Sequence, residues 1–357
     1  MADEPSTPQR PGTVAGAGMS DGAASFELGD FELQAGRRLH NARLVYRTYG
    51  TLAPDRSNVV LYPTSYGAQH TDTEWLIRPG GILDSRRWFV VVPNMFGNGL
   101  STSPSHAQGA PAEFQVTHHD NVAAQDRLLR EVFGIEELAL VYGWSMGAQQ
   151  AYHWAVLHPE RVRRVAALCG TARTGEHNIV FLRSLEAALM ADPAWDGTRF
   201  TTTPERGFRA FARIYASWAA SQAFYRRGLY RQLGYADLND YLVRSWEASY
   251  RRRHPADLLA MLDTWIACDV SATPRHRGDL AAALGSIRAR VLVMPSATDL
   301  YFTPDDCAAD AAAIPGARLC PIPSIWGHRA GNPYQNAQDE RFIRHAIEEL
   351  TATVTGR

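Results

Sequence analysis

The sequence predicts an α/β fold in which a mostly parallel sheet carries helices on both faces. Short, continuous apolar runs recur along the chain and alternate with helical periodicity, as in strands that are buried on both faces. Between residues 171 and 288 the strand signals stop and only helical patterns remain. A Gly-Trp-Ser-Met-Gly sequence at residues 143–147 directly follows one apolar run. These three observations indicate a sheet with a helical insertion and a serine at a strand-to-helix turn.

The predicted strands begin near Phe26. Residues 26–33 alternate between apolar and polar side chains as a hairpin does, and residues 42–49 form a second alternating strand. Continuous apolar runs predict buried strands at residues 58–62, 88–92, 138–142, 165–169 and 290–294. Four of these runs precede the helical region and one follows it, so the helices interrupt the sheet.

The chain divides into three predicted parts. Residues 1–24 hold three prolines and a run of glycine, alanine and serine, and we expect a disordered tail there. Residues 25–170 and 289–357 should form the α/β core. Residues 171–288 should form an all-helical lid over the carboxyl edge of the sheet, where a lid excludes water and shapes the substrate pocket.

Composition and charge exclude several functions. The 36 basic and 37 acidic residues leave a formal net charge of −1, which gives no reason to expect a nucleic-acid partner. The chain contains no lysine, so mechanisms that need a catalytic or Schiff-base lysine are excluded. The four cysteines lack metal or redox spacing and are expected to be reduced. Because we find neither a signal segment nor an apolar stretch of membrane length, we expect a cytoplasmic protein without membrane contact.

Ser145 is the central residue of a Gly-x-Ser-x-Gly motif, the sequence form of a nucleophile elbow. At such a turn the serine backbone is strained, and Gly143 and Gly147 remove side chains that would collide with the strand and the helix. The hydroxyl is then exposed at the carboxyl edge of the sheet. The motif and its context predict the α/β-hydrolase fold with Ser145 as nucleophile, and an ordinary Gly-Ser turn is the competing interpretation.

A serine nucleophile needs a base for its hydroxyl and a carboxylate that orients this base, in the chain order Ser, Asp or Glu, His. Asp299 follows the last predicted strand, and His328 stands further on in an Ile-Trp-Gly-His-Arg sequence. Asp305 and Asp306 are alternative acids. They precede an alanine-rich helix, where carboxylates are explained as N-terminal caps, so we expect Asp299 to be the acid.

The oxyanion of a tetrahedral intermediate needs two preorganised donors. The backbone N–H of Met146, directly after the nucleophile, is expected to be one of them. The second should come from residues 63–70, whose small side chains let the backbone approach a substrate carbonyl, with Ser65 or Tyr66 as the donor. A simple turn around Gly67 is the alternative interpretation of this loop.

Further motifs occur in a fixed order along the chain. They lie at residues 47–52, 67–70, 93–105, 143–147 and 191–197. Between Phe26 and about Pro333 the sequence resembles the homoserine O-acetyltransferase family of α/β-hydrolases, and more closely its esterase-like branch, which hydrolyses small alkyl esters. The roles that this resemblance implies are a nucleophile, acid and base at Ser145, Asp299 and His328, and oxyanion donors at Ser65 and Met146.

Departures from the family pattern separate the two branches. Homoserine-acylating members have an Ala-Arg segment in the lid, which Arg213 matches here. Ala220 stands where those members have a tyrosine. Homoserine-acylating members have an aspartate after the histidine, suited to the substrate's amino group, whereas this chain has Arg329. A guanidinium repels an ammonium group, so homoserine is a poor candidate. Trp144 replaces a second glycine and would narrow and dry the space beside the serine. The substrate-binding residues expected from these comparisons are Tyr66, Trp144, Arg213 and Arg329.

The predicted function is a serine esterase that hydrolyses an acetyl or other short-chain ester through an acyl-enzyme. The first alternative is an O-acetyltransferase that moves an acetyl group from acetyl-CoA to a hydroxyl of a substrate other than homoserine. The second is a non-catalytic binding protein on the same fold. The expected partner is a small-molecule ester, and the resemblance suggests a homodimer formed through the lid.

Two polar clusters are conceivable metal sites, but neither has metalloenzyme spacing, and we expect no metal and no bound cofactor. They are His70 with Asp72 and Glu74, and His118 with His119 and Asp120. The basic residues 251–254 could meet the phosphates of coenzyme A, although a solvated helix face is the favoured explanation.

Overall fold

The computed structural model describes residues 22–107 and 114–352. Most of the predicted tail, residues 1–21, lies outside this described part, and the first strand already begins at Ala24. Among the described helices, none combines the length and the apolar character needed to cross a membrane.

An eight-stranded sheet forms the centre of the described chain. Its strands are β1 (Ala24–Glu32), β2 (Arg38–Tyr49), β3 (Val59–Leu61), β4 (Phe89–Pro93), β5 (Leu140–Trp144), β6 (Arg164–Leu168), β7 (Arg290–Met294) and β8 (Arg318–Leu319). Their order is β1-β2-β4-β3-β5-β6-β7-β8. β1 and β2 form an antiparallel pair at one edge, β2 also runs antiparallel to β4, and the remaining neighbours are parallel.

The continuous apolar runs form the central strands. β3 and β4 are buried at every position, and β5, β6 and β7 each have a single position that is not buried. Each lies within two residues of its predicted bounds, which confirms the expected α/β architecture. Only β8 was not expected, because its two residues are exposed and too few to show a period.

The described helices are α1 (His118–Phe133), α2 (Met146–Leu157), α3 (Glu176–Met190), α4 (Glu205–Ala219), α5 (Gln222–Arg226), α6 (Leu238–Tyr241), α7 (Ala248–Arg251), α8 (Pro255–Ile266), α9 (Leu280–Gly285), α10 (Pro304–Ala313) and α11 (Ala337–Thr351). A π-helical turn at Leu242–Glu247 joins α6 to α7. The 3-10 turns are His70–Asp72, Glu74–Leu76, Leu229–Leu233 and Gly327–Gly331.

Helices cover both faces of the sheet. Alternate residues of each strand point to opposite sides and pack under different helices. Within β4, Val91 belongs to one hydrophobic core and Val90 to the other. Trp154 of α2 packs in the first core and Ile347 of α11 in the second. This two-sided burial explains why the strands read as continuous rather than alternating apolar runs.

Helices α3 to α8 follow β6 in the chain, and α3, α4, α7 and α8 share the first core with the sheet. Leu185 of α3, Phe208 of α4 and Trp265 of α8 are buried in the same cluster as the strand residues. α9, which the sequence placed in the insertion, precedes β7 and contacts α10 of the core. The helical region is therefore packed against the carboxyl edge of the sheet rather than held apart from it.

Two buried histidines lie between α1 and α2. The rings of His118 and His153 are 5.4 Å apart, and His118 Nε2 lies 3.1 Å from Gln149 Oε1. Burial lowers the pKa of His118 to about 3 and that of His153 to about 4. Both rings are therefore neutral in the folded protein over a pH range in which the unfolded chain protonates them.

We predict an acid-side loss of stability from these rings. Between about pH 6.5 and pH 4 the unfolded state binds more protons, so the free energy of unfolding falls as pH falls, by up to about 1.4 kcal/mol per pH unit for each histidine. His118→Gln should flatten this slope in urea unfolding measured from pH 7 to pH 4. The control is His345→Gln, at an exposed position on α11, which should keep the slope. Equal slopes for the two variants would contradict the assignment.

Candidate active site

The Gly-x-Ser-x-Gly motif forms a sharp turn between β5 and α2. Ser145 has φ 59° and ψ −128°, a conformation that L-residues rarely adopt. A Cβ at Gly143 would overlap the carbonyl group of Gly147, and a Cβ at Gly147 would come within 2.7 Å of the Pro63 oxygen. Both glycines are therefore required by close backbone packing. The serine is held in a strained turn at the carboxyl end of the central strand β5.

Asp299 and His328 lie together beside this turn. His328 Nδ1 is 2.7 Å from Asp299 Oδ2, and both side chains are almost fully buried. The other carboxylate oxygen, Oδ1, accepts hydrogen bonds from the backbone N–H groups of Tyr301 at 2.8 Å and Phe302 at 3.3 Å. A carboxylate that accepts from Nδ1–H leaves Nε2 of the imidazole to act as a base.

Trp144 connects the elbow to the histidine. Its indole stacks on the His328 ring with centroids 5.0 Å apart, and its Nε1 donates to the His328 carbonyl at 3.2 Å. In the described part of the chain, the Ser145 hydroxyl and His328 share no hydrogen bond. Contacts of this kind often tighten only in the complex with substrate. Because Trp144 directly precedes Ser145, its ring holds the histidine close to the nucleophile.

The alternative acids and the other histidine after Asp299 occupy unrelated positions. Asp306 accepts from Thr303 Oγ1 at 2.7 Å, and Asp305 lies beside it in the first turn of α10. Asp306 thus takes part in the N-terminal cap, which agrees with the expectation for these carboxylates. His345, which also follows Asp299 in the chain, is exposed on α11 and pairs with Glu349 at 3.2 Å.

The loop after β3 braces the elbow through Ser65. Its Oγ donates to the Trp144 carbonyl and accepts from the Gly147 N–H at 3.2 Å. Among the described residues, the backbone N–H groups of Ser65 and Met146 have no acceptor. The side chain of Ser65 is thus structural, and the two N–H groups remain available as donors.

Three of the expected substrate-binding residues are engaged by the protein itself. Tyr66 donates from its hydroxyl to the Leu258 carbonyl at 3.0 Å, and burial raises its pKa well above 10. Arg213 Nε donates to Glu247 at 2.9 Å, and Arg329 Nη1 donates to the Tyr241 hydroxyl at 2.8 Å. Each of these side chains has a partner within the protein, and its contact with substrate stays a prediction.

Three neighbours of His328 were not singled out from the sequence. Tyr301 packs edge-on against the imidazole with centroids 4.6 Å apart, and Phe302 lies 5.7 Å away. Cys169, with φ 47°, follows β6. Its Sγ lies within 4.8 Å of a carboxylate oxygen of Asp299 and of a ring nitrogen of His328. Burial raises the pKa of this thiol. The two aromatic residues directly follow Asp299 in a predicted loop, which was the available signal, whereas nothing local marks the cysteine.

Aromatic side chains of the lid close the site. Trp265 stacks on Phe302 at 5.5 Å, and Tyr215 stacks on Tyr66 at 5.7 Å. Ser145 is only 2% exposed and His328 only 3% exposed. Ser145 and His328 are therefore almost closed to solvent, with aromatic side chains packed beside them.

Side chains of the two polar clusters considered as metal sites are bonded to other groups of the protein. His70 Nδ1 lies 3.0 Å from Asn94, Asp72 pairs with Arg253 at 2.9 Å, and Glu74 accepts from Tyr49. The carboxylate of Asp120 caps α1 and also accepts from the Gln34 N–H.

Taken together, the elbow on a central parallel strand and the buried acid–histidine pair beside it define an α/β-hydrolase with a serine-centred site. A family model described as "alpha/beta hydrolase fold" matches residues 81–324. The chain belongs to this family.

Relatives and solved structures agree with this assignment. The chain is 38% identical over 308 residues to an ethyl acetate hydrolase of Pseudomonas veronii, covering 84% of this chain and 87% of that protein. It is 32% identical over 355 residues to a homoserine O-acetyltransferase of Clavibacter michiganensis subsp. michiganensis, covering 84% and 86%. The structure of the acetyl esterase MekB superimposes with a TM-score of 0.89 and 36% identity, covering 92% of this chain and 96% of that one. The resemblance to the esterase-like branch is confirmed, and the chain is a carboxylic ester hydrolase or acyltransferase.

We predict that Gly143→Ala disrupts the elbow. The added methyl overlaps the Gly147 backbone, which cannot move without displacing α2, so the variant should lose at least about 3 kcal/mol of stability or fail to fold. Gly285→Ala is the matched control, because no atom lies within 4 Å of its added Cβ at an exposed helix end. Thermal unfolding should separate the two. A Gly143→Ala protein as stable as the control would show that the turn is not tightly packed.

Proposed function

We propose that this protein is a serine esterase that hydrolyses acetyl or other short-chain esters, with Ser145 as nucleophile, His328 as base and Asp299 as acid. The observation that carries the proposal is the 2.7 Å contact between the buried Asp299 and His328 side chains, next to a serine in a strained strand-to-helix turn. Such a set of groups is what acyl transfer requires.

The proposed reaction has two halves. In the first, Ser145 Oγ attacks the ester carbonyl while His328 Nε2 takes the hydroxyl proton, and the carbonyl electron pair moves onto oxygen. Collapse of the tetrahedral intermediate breaks the bond to the alkoxide, which leaves with the proton from His328. In the second half, water loses a proton to His328 and attacks the acyl-enzyme, and the acid is released as Ser145 regains its proton.

The neighbouring groups support these steps. The backbone N–H groups of Met146 and Ser65 are the proposed oxyanion donors, since neither has another acceptor among the described residues. Asp299 fixes the tautomer of His328 and stabilises the imidazolium, and its second oxygen is held by two backbone donors. Trp144 keeps the imidazole in place by stacking and by its hydrogen bond to the His328 carbonyl.

A short acyl chain is proposed because the site is dry and closed. Tyr301, Phe302 and Trp144 surround the imidazole at centroid distances of 4.6 to 5.7 Å, and lid residues pack behind them. The names of the similar proteins, an ethyl acetate hydrolase and an acetyl esterase, support the same substrate class. The proposed substrate is therefore a small acetyl or other short-chain ester.

An O-acetyltransferase is the second candidate, because the chain is also similar to homoserine O-acetyltransferases. Transfer needs an alcohol to reach the acyl-enzyme in place of water. Homoserine is disfavoured as that alcohol, because Arg329 follows the histidine and has no carboxylate partner among the described residues. An ammonium group would meet a half-buried cation there.

The cellular compartment and the oligomeric state of the protein are also proposals. The four cysteines are unpaired in the described residues, which supports a reducing compartment such as the cytoplasm. A homodimer through the lid is supported by exposed apolar side chains on the described lid helices and π-helical turn, namely Val180, Leu238 and Val243. Sedimentation of the purified chain tests this assembly.

Ser145→Ala should keep the fold and lower the turnover of a short p-nitrophenyl ester by at least about 10³-fold. A fluorophosphonate probe should label the native protein and not the variant. Ser184→Ala, at an exposed position of helix α3, is the control and should label normally. Near-native turnover of Ser145→Ala would overturn the proposed nucleophile, and failure to label the folded native chain would favour a binding protein.

Hydrolysis should also exceed transfer in a direct comparison. We expect p-nitrophenyl acetate cleavage without any added alcohol, and thiol release from acetyl-CoA that is slow and not stimulated by alcohols, because the closed aromatic site favours a small ester over a long thioester. Both rates are read on the same enzyme sample. Thiol release that requires an alcohol and outpaces ester cleavage would make the protein a transferase.

A further inference from the structure

The loop that supplies the second proposed oxyanion donor is bound to the lid as well as to the core. We call residues 64–69 the oxyanion loop. On the core side, Thr64 N–H donates to the Pro93 carbonyl at 3.2 Å, and Ser65 Oγ bridges two backbone groups of the elbow. On the lid side, the Tyr66 hydroxyl donates to the Leu258 carbonyl of α8. The oxyanion loop therefore lies between the core and the lid and contacts both.

A buried arginine adds a second lid contact to this loop. Arg253 lies between α7 and α8, and its side chain is only 9% exposed. Its Nε donates to the Gly67 carbonyl at 2.6 Å, and its Nη2 donates to Asp72 Oδ2 at 2.9 Å. The same Asp72 oxygen accepts from the Gln69 N–H at 2.9 Å. One guanidinium thus holds the loop directly at residue 67 and indirectly at residue 69.

The position of this contact matters for the donor at Ser65. Gly67 has φ 64°, so its carbonyl lies in a turn that begins at Ser65, whose carbonyl accepts from the Ala68 N–H at 3.0 Å. The Gly67–Ala68 peptide, whose oxygen accepts from Arg253, is therefore hydrogen-bonded to the Ser65–Tyr66 peptide, directly after the peptide that carries the Ser65 N–H. A donor of this kind acts only when it is aimed at the place where the oxyanion forms.

The neighbouring arginines do not share this role. Arg252 is 57% exposed and only approaches Asp72, at 3.8 Å, and Arg251 pairs with Glu205 at the surface. Burying a guanidinium is costly unless its donors are satisfied. Of the basic run at residues 251–254, the side chain of Arg253 packs against backbone and carboxylate oxygens, whereas the other three residues are exposed as expected for a solvated face.

We propose that Arg253 is a positioning residue for the reaction: it fixes the oxyanion loop from the lid, so that the Ser65 N–H is aimed at the oxyanion only when the lid is seated. This inference rests on the proposed function. It makes the lid part of the catalytic geometry, and not only a cover that selects substrates.

The test compares Arg253→Met with Arg252→Met in the full-length chain. For a short p-nitrophenyl ester, Arg253→Met should lower kcat by about 10- to 100-fold, because losing a whole oxyanion donor costs about 10²–10³ and here the donor is misplaced rather than removed. KM should change by less than about threefold. Arg252→Met should stay within about twofold of the native enzyme in both constants. Arg253→Lys, which can keep one of the two hydrogen bonds, should recover part of the loss.

A second readout separates positioning from simple loosening of the lid. A short alkyl trifluoromethyl ketone adds Ser145 Oγ to its carbonyl carbon, the hydroxyl proton passes to His328, and the carbonyl oxygen becomes an alkoxide in the oxyanion hole. Its inhibition constant should rise in Arg253→Met by the same factor as kcat falls, whereas binding of the acetate product should be unchanged. If Arg253→Met does not fold, Asp72→Asn is measured in the same way and should shift both quantities in the same direction by a smaller factor.

The outcomes distinguish this proposal from the proposed function. If kcat and ketone affinity are the same in Arg253→Met and Arg252→Met while Ser145→Ala is inactive, Arg253 has no positioning role and the esterase assignment stands. If the loss lies entirely in KM, Arg253 serves lid packing alone and the proposal fails. If Ser145→Ala is active, the proposed function itself is wrong.

Discussion

The strained backbone at Ser145 is the constraint on which the rest of the site depends. A residue with positive φ at the end of a strand persists only where its surroundings leave it no alternative. Here the Ser145 N–H donates to the Leu168 carbonyl of the neighbouring strand at 2.9 Å, and Ser65 braces the turn from the other side. A Cβ at Gly170 would come within 2.8 Å of the Ser145 oxygen, so a third glycine contributes to the close packing. The sheet, helix α2 and the oxyanion loop thus hold Ser145 together in its strained conformation.

Burial determines the electrostatic environment of Asp299 and His328, which lie beside this turn. Both oxygens of Asp299 are occupied, one by His328 and one by two backbone donors, so the carboxylate is satisfied away from water. In a medium of low dielectric constant, the attraction between such a carboxylate and positive charge that develops on the imidazole is stronger than it is in water. The aromatic rings around His328 exclude water without offering competing hydrogen bonds. The same dryness favours the oxyanion donors, whose effect depends on the absence of solvent.

The lid and the core are continuous, and this shapes how the site works. Lid side chains such as Phe208 and Trp265 are buried in the same cluster as the central strands. Polar contacts cross the same boundary where Tyr66 meets α8 and where Arg253 meets Gly67. If a motion of these helices admits substrate, as we propose for a lid, it disturbs groups next to Ser145. Under that proposal, substrate entry and the arrangement of the oxyanion donors are physically linked.

The sequence by itself determined what depends on local conformation and chain order. Continuous apolar runs predicted the buried strands, the two glycines around Ser145 predicted the turn, and the chain order Ser, Asp, His predicted the pairing of Asp299 with His328. Only the tertiary structure decided where long side chains end. The hydrogen bonds of Tyr66, Arg213 and Arg329 to Leu258, Glu247 and Tyr241 could not be predicted from the sequence. Arg253 approaches the oxyanion loop from a distant element for the same reason. The partner of a long side chain is set by which helix packs opposite it, and periodicity carries no information about that.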